Sequence, residues 1–359
     1  MNPPSAMPMA STSNTTMDTE EVHLSVEHIK RQRSASISDD TSIILTNDDA
    51  TECKRSAVAL GYWSDPFIQS FCPQMTRRDP EIHRGYWARA AAIRAVVDRF
   101  IQGSSKSASA QIVNLGCGFD TLYWQLATAG AARLARFVEI DFSSVTVKKI
   151  QCIMRPSGSA LKQALTSDAA HPLHVVQHMN VTGANYSLLG ADLRQLNELT
   201  EKLCGPFACL SPSAPTLFLA ECVLVYMSTE HSAALLHSLA QQFTTAAFLN
   251  YEQVNLTDRF GEVMKANLHE RGITLAGMDA CESVRSQTER FTSNGWLHAH
   301  TLAMDEVYAK YLPKKEVKRI ESIEFLDEVE LLTQLLQHYS LTFAFSDAKN
   351  VGLGRVFFE

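Results

Sequence analysis

The sequence predicts an α/β protein built on a mostly parallel sheet with helices on both faces. Three observations predict it. The stretch "QIVNLGCGFDTLYWQL" (111–126) runs from an apolar segment through two close glycines into a helix-compatible run, the order strand, tight turn, helix. Short apolar runs then alternate with helical ones to about residue 250, the pattern of parallel strands joined by crossover helices. And 359 residues with 45 % hydrophobic and 20 % charged side chains suffice for one large domain with a sizeable core.

Taken in chain order, residues 1–50 are rich in Ser, Thr, Asn, Asp and Met and lack periodicity, which predicts a disordered tail. Within it, "RQRSASIS" (31–38) has the form of a basophilic phosphorylation site. The remainder, 51–359, reads as a single domain, with N-terminal lid helices over 51–103 and an α/β core over 104–359. "CKRSAVALGYWSDPFIQSFC" (53–72) reads as an amphipathic helix broken near Gly61 and Asp65-Pro66. "PEIHRGYWARAAAIRAVVDRFIQ" (80–102) opens on Pro80, a good first-turn residue, and carries apolar positions at helical spacing. Strands are expected near 111–115, 136–141, 186–191, 215–222 and 245–250, with helices near 119–129, 143–154, 193–204 and 229–242 between them. Further on come a helix around 256–271, a strand over 297–304 and a helix pair with its strongest period in 320–339. "LTFAFSDA" (341–348) and "GRVFF" (354–358) read as a closing hairpin.

The net charge of -7 argues against a broad phosphate-binding face. No apolar run approaches the length of a membrane span, and the polar start does not resemble a secretory signal. The eight cysteines are scattered with no C-x-x-C pair, which predicts reduced thiols in a cytosolic or nuclear protein. His171, His174 and His178 are read as loop and strand-end histidines rather than metal ligands, because no acid or cysteine completes a set.

The chemistry concentrates at expected strand ends, where open α/β sheets bind ligands. Gly116 and Gly118 would let the backbone approach a ligand at positive φ. A dinucleotide fingerprint needs a third glycine, and Thr121 stands there. Asp141, ending "RFVEID", would accept both hydroxyls of a ribose; capping the following helix is the other reading. Asp192, in "GADLRQL", has the same two readings, adenine acceptor or cap. Glu221 ends the apolar run "TLFLAE", where an unpaired carboxylate is expensive, so it is expected to face a ligand cation. Tyr226 follows, as a ligand-facing or a core aromatic.

Together, "NLGCGFDT", "EIDF", "GADLR", "AECVLVYM", "NYEQVN", "DRFG" and "SNGW", in this order, resemble the leucine carboxyl methyltransferases. "CKR" and "PEIHRGYWAR" are similar to that family's N-terminal lid and helix. The resemblance spans about 52 to 345. It implies a class I S-adenosylmethionine-dependent methyltransferase fold: a seven-stranded mostly parallel sheet whose last strand is antiparallel, plus lid helices. It implies that Gly116 and Gly118 approach the methionine part of the cofactor, Asp141 takes the ribose, Asp192 with the Leu193 backbone reads the adenine, and Glu221 meets the methionine ammonium. Arg89 would meet a carboxylate and Lys54 would reach over from the lid; both are implied to bind the cofactor and, with Tyr226, are also the expected catalytic residues. The implied partner is the protein phosphatase 2A catalytic subunit, whose C-terminal leucine would be methyl-esterified to regulate holoenzyme assembly. The enzyme is expected to be a monomer.

This chemistry needs no general base, since a carboxylate is ionised at neutral pH. Two readings stand beside it. A non-catalytic binding module would lack a cofactor acid or the glycines, and all are present. The related wybutosine-forming tRNA carboxyl methyltransferases carry a long β-propeller after this domain. The acidic charge and a chain that ends soon after the last strand favour the protein substrate.

Overall fold

The computed structural model describes residues 40–104, 110–129, 134–165 and 172–358. The sequence 1–39, with its "RQRSASIS" string, lies outside them, as does His171. One nine-stranded sheet organises the chain: β1 (Ala110–Leu115), β2 (Leu134–Asp141), β3 (His174–Val176), β4 (Asn180–Thr182), β5 (Tyr186–Gly190), β6 (Thr216–Glu221), β7 (Thr245–Gln253), β8 (His298–Ala303) and β9 (Tyr339–Asp347). Their order is β3-β4-β5-β2-β1-β6-β7-β9-β8. The five central strands β5, β2, β1, β6 and β7 are parallel. β9 is antiparallel to both β7 and β8. β1 and β7 are buried along their whole length, which is why they read as apolar runs rather than as alternation.

The seven strands from β5 to β8 are those the resemblance implies. The hairpin β3–β4 extends the β5 edge. Its turn takes Gln177 and His178 to positive φ, without the Asn-Gly or Asp-Gly pair that marks such turns in a sequence. Helices cover both faces. On one, Trp87, Ile93, Val97 and Phe100 of the helix Pro80–Ser104 pack with Ile112 and Trp124. On the other, Leu199, Leu235 and Leu239 pack with Val113, Phe218 and Phe248.

The end of the stretch read as a tail, residues 40–50, is helical. Residues 40–59 form one helix, α1, and its early part lies over a cavity instead of dissolving into solvent. The closing hairpin is not formed. Both edges of β9 are already taken by β7 and β8, so no edge is left for 354–358. That segment makes a 3-10 turn, Leu353–Arg355, and stacks Phe357 on Phe343 at 5.4 Å. The expected helix pair is Lys314–Glu321 and Val329–Gln337. Glu324, in the break, bonds His83 at 2.6 Å, Arg77 at 2.7 Å and Tyr62 at 3.1 Å.

The chain leaves β1 toward β2 and β5 on one side, and reaches β6 and β7 on the other. The crevice between β1 and β6 is where such a sheet binds ligands. Among the described residues, no helix is long and apolar enough to cross a membrane.

Candidate functional site

A cavity of about 320 Å³ follows the C-terminal edge of the sheet, and every residue singled out from the sequence lines it: Lys54, Arg89, Gly116, Gly118, Asp141, Asp192, Leu193, Glu221 and Tyr226. The turn after β1 is its floor. Gly116 and Gly118 have φ of +63° and +49°, a region that costs other residues strain. A Cβ on Gly116 would meet Val223 Cγ2 at 2.5 Å and one on Gly118 would meet Asn47 Oδ1 at 2.2 Å. The glycines thus admit close approach from the turn after β6 on one side and from α1 on the other.

Asp141 fixes this turn. Its Oδ2 accepts from the Gly118 N–H and its Oδ1 from the Phe142 N–H, both at 2.7 Å. It does not cap the next helix, whose N-cap is Phe142 without a side-chain bond. Burial raises its pKa, and the two N–H donors oppose that. Asp192 is likewise no cap, because the following helix starts at Leu196 with Gln195 at the N-cap. Its carboxylate accepts from the Arg194 side chain at 2.8–3.0 Å, and Arg194 also bonds Asp40 of α1 at 2.8 and 3.0 Å.

Glu221 ends β6 among cations. Arg89 Nε donates to its Oε2 at 2.6 Å, and Lys54 Nζ lies 3.6 Å away. A ligand cation is expected to answer the cost of burying this carboxylate, but two protein cations already do so. Lys54 also pairs with Asp120 at 3.0 Å. Burial works to lower the Lys54 pKa, but Glu221 and Asp120 together hold it above the ordinary value. The Arg89 guanidinium lies over the Tyr251 ring at 4.7 Å, a favourable cation–π contact. After β6, Cys222 takes φ +56°, a costly conformation for a residue with a side chain. Burial pushes the Cys222 thiol up to about 12 and raises the Tyr226 phenol, so both are neutral near pH 7.

The residues present fit S-adenosylmethionine. The glycine turn is a cradle that a Cβ would fill. Asn114, buried near the end of β1, lines the cavity with its Nδ2 unpartnered among the described residues. Asp192 with Leu193, Asp141 and Glu221 offer acceptors in sheet order for an adenine, a ribose and an ammonium. Among the described residues, no three His, Cys, Asp or Glu side chains gather as metal ligands.

Sequence reasoning missed Asn47, Asp120, Arg194 and Gln253, which also line the cavity. Asp120 and Arg194 sit inside quoted motifs, but their partners lie on α1, 66 and 154 residues away. Asn47, whose Oδ1 accepts from the Phe119 N–H at 2.7 Å, falls in the stretch read as a tail.

The leucine carboxyl methyltransferase family matches residues 37–240. Leucine carboxyl methyltransferase 1 of Caenorhabditis elegans is 47 % identical over 91 % of this chain and 99 % of its own. The Bos taurus protein of the same name is 42 % identical, covering 89 % of this chain and 94 % of its own. tRNA wybutosine-synthesizing protein 4 of Homo sapiens is 38 % identical over 82 % of this chain, which spans only 42 % of that protein. With a family match over more than half of its residues and such relatives along nearly their full length, this chain belongs to the leucine carboxyl methyltransferase family, and is a methyltransferase with S-adenosylmethionine as its cofactor.

Proposed function

We propose that this enzyme methyl-esterifies the α-carboxylate of the C-terminal leucine of the protein phosphatase 2A catalytic subunit, in the cytosol or nucleus, and so regulates holoenzyme assembly. The observation that carries the reading is the placement of Arg89. It is a largely buried guanidinium at the acceptor end of the cavity, backed by Tyr251 and reached by Tyr86 at 5.6 Å. Cationic charge against apolar rings suits a carboxylate attached to an apolar side chain.

When bound, S-adenosylmethionine supplies a methyl group already electrophilic on its sulfonium. The acceptor carboxylate is ionised at neutral pH, so no base is required. The lining groups agree with that: Cys222 and Tyr226 are neutral and do not take protons there. The task left to the protein is positioning, which supplies ~7–11 kcal/mol in favourable cases. Arg89 and Lys54 hold the carboxylate, and Glu221 moderates their charge so that the acceptor oxygen is not fully tied up. Asp141 and Asp192 fix the cofactor against the glycine turn. The eight free cysteines are in keeping with a reducing compartment.

A second reading, tRNA carboxyl methylation, is favoured by the likeness to the wybutosine-synthesizing relative. The net charge of -7 weighs against a polyanionic substrate. The test follows labelled methyl from S-adenosylmethionine into four acceptors: intact phosphatase catalytic subunit, the same protein without its terminal leucine, a free C-terminal peptide, and tRNA. Label confined to the intact subunit, or nearly so, is expected. Label on tRNA, or equal label with and without the terminal leucine, overturns the reading.

A further inference from the structure

The cofactor acids sit on β2, β6 and the turn after β5. The cavity does not end there. It continues past β6 to the ends of β7 and β9, where Gln253 and Tyr339 face each other in register and both line it. Gln253 is 4 % exposed, and its carboxamide oxygen has no hydrogen-bond partner among the described residues. A buried carboxamide left unpaired is costly, so a partner from the cavity would satisfy it.

Two features say what that partner is. Tyr251, two residues earlier on the same face of β7, lies under Arg89 at 4.7 Å and stacks on Tyr339 at 5.1 Å. This places Gln253 at the Arg89 end of the cavity, one strand beyond Glu221, on the acceptor side. A carboxamide is also neutral and carries both a donor and an acceptor. It matches a peptide group rather than an ion, which Arg89 and Lys54 already serve.

We infer that Gln253 is an acceptor-binding residue whose carboxamide hydrogen-bonds the main chain of the residue bearing the reacting carboxylate. The inference rests on the reading of the acceptor as a protein C-terminus. It makes the enzyme select a peptide-linked carboxylate, with Arg89 taking the charge and Gln253 the adjoining amide.

The test uses Gln253→Met, which keeps length without polarity, and Gln253→Glu, which adds a negative charge next to the acceptor carboxylate. Steady-state kinetics with intact phosphatase catalytic subunit are measured beside calorimetric binding of S-adenosylmethionine and thermal unfolding. For Gln253→Met, KM for the protein should rise about tenfold to a hundredfold, the loss of one buried hydrogen bond, with kcat and cofactor affinity nearly unchanged. Gln253→Glu should lose more, again through KM. An unchanged KM in a folded Gln253→Met overturns the inference, as does a parallel loss of cofactor affinity. If one variant fails to fold, the other decides by the same two readouts. Wild-type enzyme that leaves the phosphatase subunit unlabelled overturns the acceptor reading and the inference together, whereas equal labelling by wild type and both variants overturns the inference alone.

Discussion

Arg89 serves two partners, a carboxylate in the protein and, on the proposed function, one in the acceptor. Its Nε holds Glu221 while its plane rests on Tyr251. Lysine reproduces neither the fork nor the stacking, so Arg89→Lys should lower kcat/KM on the order of a hundredfold through misplacement of the acceptor. Near-normal turnover would remove the guanidinium from the proposal. Arg89→Ala should also cost about 1–3 kcal/mol of stability, since Glu221 keeps only Lys54, a change thermal unfolding reads directly. Asp141→Asn places an amide where two N–H groups expect a carboxylate, and should weaken S-adenosylmethionine binding by ~2–4 kcal/mol in calorimetry. Glu252, beneath the turn that carries Tyr226, accepts from the Val225 N–H at 3.0 Å with Arg290 at 3.9 Å. Burial pushes its carboxyl up to about 7 from 4.5, while Arg290 and the Val225 N–H pull the other way. Between those two pH values the native state keeps a proton the unfolded chain has released, so stability from this group falls as pH rises through the window. Glu252→Gln removes that slope. Relative to wild type, its Tm should improve between pH 5 and pH 7.5, by up to about 3 kcal/mol in stability, and a constant difference at the two pH values would contradict the assignment.

At the scale of elements, helix α1 links three parts of the cavity. Asp40 reaches Arg194 and through it Asp192, Asn47 holds the Phe119 N–H, and Lys54 holds Asp120. The Asp40–Arg194 pair is partly exposed and is worth about 0–1 kcal/mol. Asp40→Asn should therefore speed cofactor dissociation only a few-fold in stopped-flow binding and leave Tm almost unchanged. Gly118→Ala should act more severely, because its φ of +49° and the Asn47 contact leave no place for a methyl group. The alternation of strands and helices was legible because each crossover helix shows its own apolar period. The end of the chain was not. Whether 354–358 pairs with β9 depends on whether β9 has a free edge, and β8 comes from 298–303, far away in sequence.

For the whole molecule, a cavity of about 320 Å³ admits a chain terminus rather than a folded domain, so the body of a protein acceptor must rest outside it. Leu45 of α1 and Val263 of the helix Arg259–Glu270 are both more than half exposed, next to the lining residues Ile44 and Met264. Binding energy from such remote contact is used to position the reacting end. An intact phosphatase subunit should have a higher kcat/KM than its free C-terminal peptide, and Val263→Asp should narrow that gap by weakening only the intact acceptor. Equal loss on both acceptors would assign Val263 to the cavity instead.

The sequence by itself determined the class of the sheet, the glycine turn, and the position of Asp141, Asp192 and Glu221 at or just past strand ends, because each follows from a local rule: a strand must end, a turn at positive φ needs glycine, and a buried carboxylate needs a partner. Only the tertiary structure decided who that partner is. Arg89 and Lys54 meet at Glu221 from helices 132 and 167 residues earlier in the chain, and nothing in the spacing of "YWAR", "CKR" and "AECV" encodes that meeting. The same holds for Gln253, which reads as an ordinary polar strand-end residue until β9 closes against β7. Its significance lies in a carboxamide oxygen with no partner among the described residues, and an absence of hydrogen bonds exists only once every neighbour has its place.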